Sequence, residues 1–238
     1  MSFGTFILGG EGNSGNSEFL KRGKSQWQEG PAIPSPGLAC GCAVEVDDFQ
    51  FAVIGGHPDG HSEAVANVRM YDMTSGTWTE WAPLNTPASY VACVTYGSTI
   101  VVGGGYRYNP TGKPLKMINM TKSFSAGDLA ETTIINTNTG SNTVVAPLNT
   151  LRHGAYMTNL HNLVVAFGGS NTETSAPLTD LEIWNPNDNT WNNGPGQVFQ
   201  TGRLKFGMVT LSFPPGTCEL ETSYQEFSEN TRNTLYYG

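Results

Sequence analysis

The feature of this sequence that most constrains its fold is an apolar run ending in paired glycines, which occurs four times. The runs are Phe6–Gly10, Ala52–Gly56, Val101–Gly105 and Val165–Gly169. Their last glycines are 46, 49 and 64 residues apart, and the longest step contains an insertion at residues 106–129. A period of roughly 50 residues indicates a repeat architecture, in which each unit must stack on its neighbours to bury a core.

A second signal follows each glycine pair, namely two positions seven residues apart of which the second is a tryptophan in three repeats. The pairs are Leu20/Trp27, Tyr71/Trp78, Ile135/Asn142 and Trp184/Trp191. Before the later glycine pairs, two apolar segments are joined by short turns such as Gly97-Ser98 and His161-Asn162, which is typical of β-hairpins. Each repeat is therefore predicted to be a four-stranded meander: an inner strand, the diglycine strand, a third strand and an outer strand.

The predicted core lies between neighbouring meanders, because one four-stranded sheet leaves both faces open. We expect Trp78 and Trp191 to fill the wedge between sheets. In the third repeat Asn142 replaces the tryptophan, and we expect Val144 and Val145 to compensate.

The diglycine, the downstream aromatic residue and the tryptophan about seven residues later resemble the kelch repeat, over residues 3–213. This resemblance implies an all-β protein, a β-propeller of kelch-type four-stranded blades. Its expected domains are a propeller at residues 1–213 and a C-terminal extension at residues 214–238. Within that extension the spacing of Leu220, Tyr224 and Phe227 fits a short amphipathic helix, and a disordered tail is the alternative.

The two ends of the chain suggest how such a propeller closes. The chain begins at a diglycine strand, and its last strand-like segment, Phe206–Phe213, has no diglycine partner after it. We expect these segments to pair, which predicts four blades closed by the N- and C-terminal strands. The alternative is a fragment of a larger propeller.

Composition narrows the choice of partner and compartment. The chain has 12 Lys and Arg against 20 Asp and Glu, a net charge of −8, which disfavours nucleic acid as a partner. The sequence contains no apolar segment long enough to insert in a membrane. Without a signal peptide at its N-terminus, the chain is expected to be cytoplasmic by default, and extracellular if the N-terminus has been trimmed.

The four cysteines are Cys40, Cys42, Cys93 and Cys218. Their number is too small for a disulfide scaffold in a chain of this length. We expect buried thiols on inner strands, and a disulfide between neighbouring inner strands is the alternative.

Alternating strand directions place the loops after the diglycine strands at the same end of the sheets as the blade-to-blade connections. We call this end the loop face. His57, Asp59 and His61 lie there and have the donor types of a divalent-metal site, although solvated turn residues are the simpler interpretation. His153 and Arg203, at the starts of later blades, are expected on the same face and are candidate partner-binding residues.

The resemblance also raises an enzymatic alternative. Galactose oxidase has a similar propeller and uses a copper–tyrosyl radical, for which Tyr106, Tyr108 and the histidines offer the residue types. No cysteine lies in the candidate loops to form the required crosslink. We therefore expect no cofactor, and the enzyme class, oxidase-like or lyase-like with a metal at the loop face, stays the alternative.

The insertion at residues 106–129 is the strongest functional signal, because loops of this length are uncommon unless they have a function. It combines aromatic and methionine side chains with a third of the cations of the chain; the candidate contact residues are Tyr106, Arg107, Tyr108, Lys113, Lys116 and Lys122. Such a mixture is typical of protein contacts. The sequence thus predicts a non-catalytic module that binds a protein, for which the cations favour an acidic surface. A glycan partner or a secreted assembly role is the lesser alternative.

Overall fold

The structure is a computed structural model, and it describes the backbone of the following residues: 4–10, 12, 15–58, 63–107, 115–116, 123–124, 127–174, 176–196, 198–206, 209–212 and 234–237. The chain divides into two compact units, Met1–Lys205 and Phe206–Gly238. All regular elements of the described residues are strands. No helix among them is long and apolar enough to cross a membrane.

The first unit contains one three-stranded and three four-stranded antiparallel sheets, as the repeat predicts. Blade 1 comprises β1 (Gly4–Leu8), β2 (Ser17–Lys21) and β3 (Gln28–Glu29). Blade 2 comprises β4 (Cys42–Asp47), β5 (Gln50–Ile54), β6 (Val68–Asp72) and β7 (Thr77–Glu80).

Blade 3 begins with β8 (Ala92–Tyr96) and β9 (Thr99–Gly103). The insertion follows, with the short pairs β10 (Tyr106–Arg107), β11 (Leu115–Lys116), β12 (Ser123–Phe124) and β13 (Gly127–Asp128), in which β10 pairs with β13 and β11 with β12. The blade then ends with β14 (Thr132–Asn136) and β15 (Asn142–Val145). The insertion is therefore a hairpin-like excursion between the second and third strands.

Blade 4 comprises β16 (Tyr156–Leu160), β17 (Leu163–Phe167), β20 (Leu181–Asn185) and β21 (Thr190–Asn193). Between its second and third strands lies the small pair β18 (Ser170–Asn171) and β19 (Ala176–Pro177). The second unit contains the pair β22 (Val209–Ser212) and β23 (Thr234–Tyr237).

The expected pairing of the two ends of the chain is not found among the described strands. We expected Phe206–Phe213 to pair with the first diglycine strand, whereas Val209–Ser212 pairs with Thr234–Tyr237 and β1 pairs only with β2 among the described strands. Of the C-terminal extension, the structure describes Thr234–Tyr237, which form a strand. Residues 213–233, which include the helical spacing, lie outside the described residues.

The diglycine strand of blade 1 is more exposed than its counterparts in the other blades. Ile7 is 54% exposed, whereas its counterparts in the other diglycine strands, Val53, Val102 and Ala166, are at most 3% exposed. Those three side chains pack towards the preceding blade. Ile7 therefore marks a face that the described residues leave without a preceding blade.

The spacing of seven residues is explained by strand register. Tyr71 lies directly opposite Trp78 across β6 and β7, and Trp184 lies opposite Trp191 across β20 and β21. Directly opposed side chains share one face of a sheet and contact each other. The repeated pair is therefore a cross-strand pair at the outer edge of each blade.

The core consists of three clusters, one at each junction between consecutive blades. Ile33, Leu38, Phe51 and Val53 join blades 1 and 2, where Phe6 and Phe51 are 5.1 Å apart. The other two clusters join blades 2 and 3 and blades 3 and 4. The apolar faces are thus buried between stacked sheets, as expected for propeller blades.

The tryptophans differ in burial despite their common spacing. Trp191 is 4% exposed and its indole N–H donates to Thr132 Oγ1 of blade 3 at 3.1 Å. Trp78 is half-buried against Phe51 and Tyr71. Trp27 is 41% exposed, so the expected wedge packing holds fully for Trp191 and partly for Trp78.

Blade 3 replaces its missing tryptophan in a way the sequence did not suggest. Val144, expected to compensate, is 46% exposed. Asn142 Nδ2 instead donates to the carbonyls of Ala82 and Pro83 at 2.9 and 2.6 Å. Trp81, from the same connection between blades 2 and 3, lies against Gly140. The connection is therefore fixed by hydrogen bonds and by an indole from the neighbouring blade.

Cys42 and Cys93 form a disulfide between the inner strands of blades 2 and 3, with their Cα atoms 6.1 Å apart. Cys40 forms no disulfide with either of these cysteines, and Cys218 lies outside the described residues. The expectation of buried thiols is therefore wrong for this pair, and the alternative disulfide between neighbouring inner strands is the one found.

The glycine pairs join each blade to the next. The N–H of the second glycine donates to a carbonyl just before the next inner strand: Gly10 to Leu38, Gly56 to Ala88, Gly105 to Arg152 and Gly169 to Arg203, at 2.7–2.9 Å. A Cβ on Gly55 would lie 2.4 Å from the carbonyl oxygen of Ala88. The close approach thus requires the absence of a side chain.

We expect Gly55→Ala to destabilise the protein by roughly 2–4 kcal/mol, because it adds a steric clash to the strain of a positive φ. Gly76→Ala is the matched control. Gly76 has nearly the same φ, +69° against +65°, but its Cβ would have no neighbour closer than 3.8 Å, so we expect a loss of about 1 kcal/mol. Urea denaturation measures both, and equal losses would show that the close approach is unimportant.

We expect Trp191→Ala to lower the free energy of unfolding by roughly 3–5 kcal/mol, as for other buried aromatic truncations. Trp27→Ala, at the same position of blade 1 but exposed, is expected to cost less than about 1 kcal/mol. Trp78→Ala should fall between them. Equal effects of the Trp27 and Trp191 substitutions would contradict the junction packing described above.

Candidate functional site at the loop face

Each blade builds the loop face with the same backbone contacts. The residue after the glycine pair forms a two-way backbone bridge with the residue that precedes the inner strand of its own blade. The bridges are His57 with Ala39, Tyr106 with Ser89, and Ser170 with His153. The backbone contact is thus the same in three blades, whereas the side chains differ: Tyr106 is half-buried, and His57 and Ser170 are buried.

A second repeated contact runs between blades. Cys40, Tyr90, Gly154 and Lys205 stand at equivalent positions before the inner strands, and we call them the lead-in row. Tyr90 N–H donates to Cys40 O at 2.5 Å, Gly154 N–H to Tyr90 O at 2.9 Å, and Lys205 N–H to Gly154 O at 2.9 Å. All four have φ values of +52° to +59°. The row is therefore one continuous hydrogen-bonded line across successive blades.

Aromatic and imidazole rings gather around this row. The ring of Tyr90 lies between His57 and His153, with centroid distances of 6.1 Å to each. Tyr106 contacts His153 on its other side at 5.6 Å. These four rings meet at 61–64°, so they form a connected group with edges turned towards ring faces.

Lys205 places a positive charge on this group. Its Nζ lies 4.0 Å from the centroid of the Tyr90 ring, which is the geometry of a cation–π contact. Lys205 is exposed, and Tyr90 is half-buried. Among the described residues, no carboxylate forms an ion pair with Lys205.

Asp128 fixes three parts of the loop face together. Its Oδ1 lies 2.5 Å from His153 Nδ1, and its Oδ2 accepts hydrogen bonds from the backbone N–H and the hydroxyl of Thr172. The Asp128 side chain is 1% exposed and that of His153 13%. The end of the insertion, the start of blade 4 and the loop after β17 are thus held by one buried carboxylate.

Arg107 differs from the exposed contact residue expected from the sequence. Its side chain is only 6% exposed. Burial lowers the pKa of its guanidinium, and the negative charge of Glu131 partly opposes that shift. Arg107 is therefore buried at the start of the insertion.

Two of the sequence-predicted residues, Tyr106 and His153, are in direct ring contact, and His57 joins them through Tyr90. Arg203 is exposed, and its carbonyl accepts the hydrogen bond from Gly169. Of Lys116 only the backbone is described. The remaining candidates lie outside the described residues: Asp59, His61, Tyr108, Lys113 and Lys122.

Sequence reasoning missed Tyr90 and Lys205 and did not foresee the role of Asp128. The sequence did contain a signal for Tyr90 and Lys205, in the spacing of the repeats. The lead-in row lies two residues after each carbonyl that receives the glycine hydrogen bond, at Leu38, Ala88, Arg152 and Arg203. Aligning the repeats at these positions would have placed Tyr90 and Lys205 together.

No group of three or more His, Cys, Asp or Glu side chains with metal-binding geometry occurs in the part of the chain that the structure describes. The sequence-predicted set depends on Asp59 and His61, which are outside it. The metal site at His57, Asp59 and His61 therefore stays a sequence prediction.

A model of the kelch motif matches residues 151–196, which cover blade 4 from its lead-in to the end of its outer strand. Blade 4 therefore contains a kelch motif. The match starts next to Arg152, whose buried guanidinium donates to Glu182 Oε1 at 2.6 Å and to Gly168 O at 2.7 Å. The family pattern thus includes the residues that connect the lead-in to the diglycine and third strands.

The fold is similar to that of the kelch-type propeller protein YjhT, whose solved structure has a TM-score of 0.61 and 16% sequence identity to this chain. The match covers 77% of this chain and 52% of YjhT, so the chain spans about half the length of that protein. No curated protein sequence is a significant match. At this identity the comparison establishes the kelch propeller fold alone.

We expect Asp128→Asn to destabilise the first unit of the chain by roughly 1–3 kcal/mol, because an amide cannot replace all the hydrogen bonds that the buried carboxylate accepts. Asp188→Asn is the control, since Asp188 accepts hydrogen bonds from Thr190 within an exposed turn and should cost less than about 1 kcal/mol. Denaturation of both variants, with His153→Ala in a double-mutant cycle, measures the coupling. Additive Asp128 and His153 effects would contradict the contact.

Proposed function

We propose that this kelch protein is a non-catalytic interaction module that binds a protein partner through its loop face. The observation that carries this proposal is the repeated backbone of that face. The bridge positions hold His57, Tyr106 and Ser170 in successive blades, and the lead-in row holds Cys40, Tyr90, Gly154 and Lys205. His57 and Ser170 are buried, at 4% and 8% exposed, whereas Tyr90 and Tyr106 are half-buried and Lys205 is exposed. A constant backbone that presents such different accessible side chains suits recognition of a specific surface.

Charge supports an acidic partner. The chain has a net charge of −8, yet Lys113, Lys116 and Lys122 are concentrated in the insertion, and Arg203 and Lys205 are exposed at the loop face. Local positive charge on an acidic protein would direct an acidic surface to this face and accelerate association at low salt.

The Cys42–Cys93 disulfide indicates in which cellular compartment the protein functions. Structural disulfides persist in oxidising compartments and are rare in the cytosol. As part of the proposal, we therefore favour the extracellular alternative over the cytoplasmic default, and expect the partner to be an exported or cell-surface protein.

The test replaces Lys113, Lys116 and Lys122 with serine and compares partner recovery in a pull-down at two salt concentrations. We expect the variant to recover at least about tenfold less partner, because hydrogen bonds to charged groups contribute roughly 1.5–3 kcal/mol each when they are lost. Thermal unfolding should be unchanged, since loop substitutions away from buried networks cost little stability.

The matched control replaces Lys21, Arg22 and Lys24 with serine. These three cations are exposed on the turn between β2 and β3, away from the diglycine loops, and their loss changes the net charge by the same amount. Equal recovery by the wild type, the insertion variant and the control would show that the insertion is not the contact surface.

A further inference from the structure

We propose that Lys205 and Tyr90 form a carboxylate-recognition site in the lead-in row, which takes an Asp or Glu side chain of an acidic peptide segment. This inference rests on the proposed function and names the group that the loop face recognises. Neither residue belongs to the insertion from which the binding surface was predicted.

The geometry brings the two residues together across an intervening blade. Tyr90 leads into blade 3, whereas Lys205 stands two positions further along the lead-in row, beyond Gly154. A Cβ on Gly154 would lie 3.1 Å from Lys205 Cγ and 2.7 Å from Leu204 Cδ1. The glycine therefore leaves space for the aliphatic stem of Lys205 to extend towards the Tyr90 ring.

The positive charge of Lys205 favours an anionic ligand at this site. The ammonium group of Lys205 contacts the Tyr90 ring at 4.0 Å and forms no ion pair with a carboxylate of the described residues. The nearby carboxylate of Asp128 is buried and already bound by His153 and Thr172. A ligand carboxylate would therefore meet an exposed cation that has no competing carboxylate among the described residues.

Ring positions favour a peptide over an acidic sugar. Sugar recognition uses an open aromatic face, and one face of Tyr90 is covered by the Lys205 ammonium. The neighbouring rings meet at 61–64° and so provide no flat platform. A carboxylate on a short, flexible side chain can reach the ammonium between these ring edges, with its methylene groups against Tyr90 or His153.

The hydrogen-bonded backbone makes the site preorganised. Tyr90 and Lys205 both take positive φ values, +54° and +53°, and both are held by row hydrogen bonds. A rigid backbone and a positioned cation reduce the entropy lost on binding. The site should thus distinguish a carboxylate from its uncharged amide isostere even in a small ligand.

The test is an NMR titration of the full chain with acetyl-Gly-Glu-Gly-amide, which carries one carboxylate, and with acetyl-Gly-Gln-Gly-amide. We expect the Glu peptide to cause saturable shifts at the amides of Tyr90, Gly154 and Lys205, and to bind about tenfold more tightly than the Gln peptide, the factor typical of one charge-assisted hydrogen bond. Added salt should reduce the difference.

Three variants locate the effect. Lys205→Gln should abolish the preference for Glu, Lys205→Arg should keep it, and Lys24→Gln, an equal loss of charge on an exposed turn, should leave it unchanged. The fold of each variant is verified by its unperturbed spectrum elsewhere.

The proposal is overturned if both peptides cause equal shifts, if Lys205→Gln keeps the preference, or if oligogalacturonate binds more tightly than the Glu peptide, which would identify an acidic glycan site. The proposed function is tested separately. If the partner pull-down still depends on the insertion lysines while the peptide preference is absent, the interaction module stands and this site does not.

Discussion

The structure depends on the hydrogen bond from the second glycine of each pair to the carbonyl before the next inner strand. This bond fixes the distance between consecutive blades, and it forms only because the preceding glycine has no side chain, as at Gly55, where a Cβ would lie 2.4 Å from Ala88 O. The apolar clusters between blades then pack at the spacing that these bonds impose. The glycine pair, which in a sequence resembles a simple turn signal, therefore provides the backbone contact that connects each repeat to the next.

The same joint explains why chemistry can vary at the loop face. The main-chain groups of the bridges and of the lead-in row are hydrogen-bonded to one another, so side chains there are not needed to satisfy the backbone. His57, Tyr106 and Ser170 occupy one such position in three blades with the same backbone contact. Of the three, only Tyr106 is more than 8% exposed, so the same joint carries buried side chains in two blades and a half-buried one in the third.

Sequence reasoning succeeded where a repeated local pattern determines the structure. The period predicted the blades, and the spacing of seven residues identified cross-strand pairs such as Tyr71 with Trp78. It failed where contacts between blades decide the outcome: Trp27 is exposed, Asn142 binds carbonyls of the preceding connection, and Cys42 reaches Cys93. Each of these depends on which residue a neighbouring blade presents, and spacing within one repeat does not encode that.

In the candidate site, too, sequence reasoning succeeded for local patterns and failed for contacts between blades. Tyr106 and His153 could be assigned to the loop face because strand direction alone places them there, but the contact of Lys205 with Tyr90 needs Gly154 to lack a side chain. Three residues at three successive positions of the lead-in row must therefore be right together. A side chain at position 154 would come within 3.1 Å of Lys205 Cγ, so the contact between the cation and the ring depends on a residue that belongs to neither partner.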